Sequence, residues 1–104
     1  LVFIELVKRG FKPNRDLFYY KTRNDREVDF VVKKGTEVAE LIQVCYDTTN
    51  SDVEQREAKA LLEASNELKV KKLTVLTWDE KREIKKEGGA IQFIPLWEWL
   101  LDKK

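Results

Sequence analysis

The chain of 104 residues has no histidine and a single cysteine, Cys45. Without histidine there is no Ser-His-Asp or Cys-His nucleophile, no imidazole base and no ordinary zinc site. One cysteine rules out an internal disulfide framework. No GxxxxGK[ST] segment occurs, so any P-loop ATP hydrolysis belongs to another part of the protein. No apolar run approaches the roughly 20 residues of a membrane span. The opening LVFIELVKRG also lacks the basic start and cleavage site of a signal peptide. These absences predict a cytoplasmic location and no membrane partner. An excess of either charge is missing too: 20 Lys and Arg face 19 Asp and Glu. Net charge therefore leaves no nucleic-acid footprint, although local clustering of lysines can still build a basic patch.

With 42% hydrophobic residues and eleven aromatics, the chain is expected to fold, as one domain over residues 1–104. Its Lys- and Glu-rich composition, with little Asn or Gln, leans towards a thermophilic source. It has no Met, begins at Leu1 and enters an apolar pattern at once. We expect it to be the C-terminal part of a longer protein.

Leu1 to Val7 is apolar almost all round apart from Glu5, which suits a buried helix ended by Gly10, or else a short buried strand. Leu17–Tyr20 is aromatic and strand-like, and TRNDR (22–26) is a polar hairpin loop. EVDFVVKK from Glu27 and EVAELIQVCYD ending at Asp47 form two paired strands joined through Gly35-Thr36. Val28, Phe30 and Val32 alternate with Glu27, Asp29, Val31 and Lys33, which turns Asp29 away from one apolar face. Caps in Thr48 to Asp52 open a helix that runs to about Leu68, with Ala58, Leu61, Leu62, Ser65 and Leu68 on its apolar stripe. Leu73–Trp78 is a central strand. The strand–helix–strand order predicts a right-handed crossover and a parallel pairing. Asp79 to Gly89 is a charged hairpin or short strand, Ala90–Ile94 a last strand, and Pro95 opens a closing helix with Trp97 and Trp99. The whole reads as a three-layer α/β/α domain around a mixed sheet.

The candidate chemistry lies where polar residues interrupt apolar strands, at Asp29 and Gln43, with Cys45 on the Gln43 face. Metal-assisted phosphodiester cleavage needs hard oxygen ligands and commonly a lysine. An Asp on one strand followed a dozen or so residues later by Glu-x-Lys on its neighbour meets that need. Here Gln43 stands for the second acid and Cys45 for the lysine. The plainer alternatives are a solvated or salt-bridged Glu5, an Asp29 paired with Arg26 or Arg56, a Gln43 bonded to backbone, and a Cys45 that only packs. Trp78, Trp97 and Trp99 are better read as core or interface packing residues than as base-stacking platforms.

LVFIELVKRG, REVDFVVKKG, ELIQVCYD, REAKALLEA and FIPLWEWLL together resemble the C-terminal DUF4143-type domain of archaeal and bacterial AAA-type ATPases. That domain is similar in layout to the PD-(D/E)XK, or restriction-endonuclease-like, nuclease superfamily. The resemblance implies a restriction-endonuclease-like fold in which Glu5, Asp29 and Gln43 hold Mg²⁺ or Mn²⁺, with Cys45 at the catalytic-lysine position. Lys21, Lys33 or Lys59 would then have to supply the missing charge. It further implies an ATPase module in the same polypeptide and DNA as a partner, either cut or merely bound. The rival expectation is a non-catalytic module that closes over or oligomerises the ATPase part, marked by an apolar patch around Leu1 to Val7, Trp97 and Trp99.

Overall fold

In the computed structural model, which describes residues 1–46, 51–86 and 89–102, a six-stranded mixed sheet is flanked by helices. The elements are α1 (Val2–Lys8), β1 (Leu17–Lys21), β2 (Glu27–Lys34), β3 (Glu37–Val44), α2 (Ser51–Leu68), β4 (Leu73–Thr77), β5 (Arg82–Lys86), β6 (Gly89–Pro95) and α3 (Leu96–Leu101). Strand order is β1-β2-β3-β4-β6-β5. The first three strands form the expected antiparallel meander, and β3, β4 and β6 run parallel. All five residues of β4 are buried, as a strand covered on both faces requires. The charged REIKK segment is the edge strand β5, a position where charge discourages pairing with other chains. The capping residues expected at 48–50 lie outside the described residues.

Alternate strand residues feed two apolar clusters on opposite faces of the sheet. Val28, Val31, Leu41, Cys45, Leu73, Val75, Ile91 and Phe93 pack with Ala58, Leu61 and Ala64 of α2. On the other face Val32, Ile42 and Leu76 pack with Val2 and Leu6 of α1 and with Leu96 and Trp99 of α3.

Two expectations need correction. Val28 does not share a face with Phe30 and Val32: it packs with Val31 on the α2 side, whereas Phe30 and Val32 lie on the other. The cause is a bulge. Leu17 and Phe18 pair with Val32 and Val31, but Tyr20 and Lys21 pair with Val28 and Glu27, so Asp29 and Phe30 together oppose Tyr19. Nor is α1 buried all round. Val2 and Leu6 enter the core, while Leu1, Phe3, Ile4 and Val7 are exposed.

Candidate functional site

Asp29 sits in the bulge of β2, where the ladder to β3 stops at the Phe30–Ile42 pair. Beyond that pair, side chains replace the ladder. The Gln43 side chain accepts a hydrogen bond from the Asp29 N–H at Oε1 (2.7 Å) and donates from Nε2 to the Glu27 carbonyl (2.8 Å). Asp29 answers across the gap, its Oδ2 accepting from the Val44 N–H at 2.8 Å. An amide side chain carries a donor and an acceptor, as a peptide group does, so Gln43 can serve β2 as a strand would. It is 1% exposed, and a buried amide of this kind needs both bonds.

The electrostatics around the bulge are acidic. Although Asp29 keeps part of its surface in solvent, loss of water around its carboxyl raises the pKa; the Val44 bond opposes this and the Glu27 charge adds to it. Glu57, on α2, is raised by the same loss of water and by the Asp29 and Glu27 charges, against a counter-effect from Arg56. Tyr19 donates to the Glu27 carboxylate, a bond that pushes its phenol up to about 12. Nothing in the sequence distinguishes Glu57 from the other acids of α2, such as Glu54 and Glu63. Only the packing of that helix against β2 and β3 singles it out.

The other candidates have different partners. Glu5 forms an ion pair with Arg9 at 2.8 Å, and Arg9 also bonds the Trp99 carbonyl (2.5 Å) and stacks over the Trp99 ring at 4.3 Å. Glu5 therefore stands on the helix that packs on the α3 side of the sheet. Cys45 is a buried side chain of the α2-side core. Of the lysines considered as substitutes, Lys21 pairs with Asp25 at 3.9 Å and Lys33 lies over the Phe18 ring at 5.6 Å. Lys59 is exposed on α2. Arg26 pairs with Glu63 rather than with Asp29. The structure thus brings together Asp29 and Gln43, adds Glu57 and Glu27 to their surroundings, and gives Glu5 another role.

This donor set does not fit a hard divalent ion. Asp29 already accepts a backbone bond, both polar atoms of the Gln43 amide are bonded to backbone, the nearby Glu27 carboxylate accepts from Tyr19, and Cys45 offers a thiol, whereas magnesium and manganese favour several oxygens. Among the described residues no group of three or more His, Cys, Asp or Glu is arranged to hold a metal.

Residues 1–99 match the family described as "Domain of unknown function (DUF4143)". The chain belongs to the DUF4143 family. It is similar to an uncharacterized protein from Methanocaldococcus jannaschii, 40% identical over 107 residues that cover 97% of this chain. That alignment spans only 23% of the relative, so the chain corresponds to about a quarter of the relative's length. No solved structure matches the chain significantly. No helix among the described residues is long and apolar enough to cross a membrane.

Proposed function

We propose that this DUF4143 domain is a non-catalytic, restriction-endonuclease-like three-layer domain serving as an interaction module within a longer ATP-binding protein. The observation that carries the reading is the use of Gln43. Metal-assisted cleavage of DNA would need Asp29 and Gln43 to present oxygens to an ion, and here both serve to close a splayed pair of strands. The thiol of Cys45 cannot replace an ammonium, having neither its charge nor its donors. The mixed sheet with helices on both faces supports the endonuclease-like layout. The length of the archaeal relative supports the setting in a longer chain.

The test is Mn²⁺ calorimetry with the purified chain, beside a nicking assay on supercoiled, branched and single-stranded DNA in the same buffer. We expect no saturable binding and no nicking. Cleavage that disappears in Asp29→Ala would overturn the reading and restore the nuclease.

A further inference from the structure

The face of the sheet opposite α2 is covered only in part. At roughly 1.5 Å per residue the 7 residues of α1 and the 6 of α3 reach about 10 Å and 9 Å, whereas the 8 residues of β3 run for about 26 Å. Where the two helices stop, a cavity of about 500 Å³ opens against β2, β3, β4 and β6.

Its walls divide by chemistry. Leu6, Val32, Ile42, Ile94 and Trp99 make the apolar side. A second bulge widens it: Val32 and Lys33 pair with Glu40 and Val38, so Ala39 is an extra residue of β3. Val38 consequently packs on the α2 side, while Ala39 and Glu40 line the cavity. Lys34, Lys72 and Arg9 make the basic side. Because β2 runs antiparallel and β4 parallel to β3, Lys34 at the end of β2 and Lys69, Lys71 and Lys72 ahead of β4 meet at one end of the sheet. Lys72 pairs with Glu40 at 3.7 Å. Lys34, Lys69 and Lys71 pair with no carboxylate among the described residues. Arg9 keeps N–H groups beyond those bonded to Glu5 and to the Trp99 carbonyl. The two acids in the wall do not cancel this charge. Glu40 is taken up by Lys72 and by the Thr74 hydroxyl (2.7 Å), and Asp102 is exposed to water at the end of α3.

Small-molecule sites are usually recesses of roughly 300–1,000 Å³, mostly apolar, with a few convergent polar groups. We propose that this cavity binds a small organic anion, its apolar body seated on Val32, Ile42 and Ile94 and its acid group at Lys34 and Arg9. The site is separate from Asp29 and Gln43. Gln43 alternates with Ile42 and so faces the α2 side of β3, which leaves the cavity open to a ligand whether or not DNA is cut.

The probe is 8-anilinonaphthalene-1-sulfonate, an aromatic anion that brightens in apolar surroundings. It is titrated into the purified chain beside N-phenyl-1-naphthylamine, which has the same rings without the sulfonate. We expect saturable one-to-one binding of the anion, at least about tenfold tighter than that of the uncharged dye, as one charge-assisted hydrogen bond would give. With the fold confirmed by circular dichroism, Ala39→Trp, which fills the cavity, and Lys34→Glu, which reverses the unpaired charge, should each weaken binding at least about fivefold. Lys34 is exposed, so its variant decides the matter alone if Ala39→Trp fails to fold. The control is Trp97→Ser. Trp97, expected from the sequence to pack, is 58% exposed on α3 outside the cavity, and its replacement should leave binding unchanged. Equal affinity for the two dyes, or binding that survives the cavity variants, overturns the proposal. Binding lost in Trp97→Ser alone assigns the dye to the outer helix face and overturns it too.

Discussion

Gln43 does for β2 with one side chain what a neighbouring strand does with its peptide groups. Gln43→Leu keeps the volume but strands the Asp29 N–H and the Glu27 carbonyl, at about 1–3 kcal/mol for each group left buried and unpaired. Gln43→Glu keeps an acceptor for the Asp29 N–H, loses the donor to Glu27 and adds a charge near Asp29 and Glu57, whose carboxyls are already raised in pKa. We therefore expect both variants to unfold at lower urea concentration. The Glu variant should recover part of its loss as pH falls from 7 towards 4, which Gln43→Leu should not. Wild-type stability in Gln43→Leu would show that the two bonds contribute nothing. The sequence makes Asp29 and Gln43 visible because each is a polar residue inside an apolar strand. The reason for their pairing is invisible there, since it depends on the splaying of two strands at residues 14 apart in the chain.

At the scale of elements, the apolar period reveals more. The meander, the long helix, the parallel crossover and the closing helix all follow from spacing two against spacing 3.6; α2 has the expected bounds, while β3 ends at Val44, short of the expected Tyr46, and Pro95 ends β6 instead of opening α3. Docking of the hairpin loop does not follow from spacing. Glu63 of α2 accepts bonds from Thr22, Asn24 (2.9 Å) and Arg26 (3.2 Å), and Glu67 accepts from the Tyr20 hydroxyl (2.6 Å) and the Arg23 N–H (3.0 Å). Those contacts join residues about forty positions apart, beyond any local pattern. The exposure of α1 is equally hidden, because an apolar stripe that faces the core and one left on the surface have the same composition. Since α1 is held mainly through Val2, Leu6 and Arg9, it should open at lower free energy than β3 or β4. Native-state hydrogen exchange should show amides of α1 exchanging well before those of Ile42 and Val75. Equal protection would show α1 to be part of the cooperative core.

For the whole molecule, the acid limb of stability reflects opposing carboxyl groups. The bonds from Thr22, Asn24 and Arg26 lower Glu63 from 4.5 to about 2. A depressed folded pKa stabilises the fold above the unfolded value and loses that contribution as pH falls from 4.5 towards 2. Asp29 and Glu57 act in the opposite sense: their raised values mean that ionisation disfavours the fold, and acid relieves it. Glu63→Gln should consequently lower stability at pH 7 and flatten the loss on acidification, as read by denaturant midpoints across the pH range. A difference from wild type that persists unchanged down to pH 2 would mean that the Glu63 charge is not what ties the loop to α2.

The bulge in β2 has a consequence for comparing members of this family. Val28 and Val31 face α2, with Phe30 on the other side between them. Without Asp29 the order Val28, Phe30, Val31, Val32 would alternate in regular fashion. Asp29 is therefore a residue of β2 that a relative could lack without turning any neighbouring side chain inside out. A one-residue gap at this position in a related sequence would mark a flat strand with no acidic notch and no task left for Gln43, so an apolar residue opposite that gap is the substitution to look for.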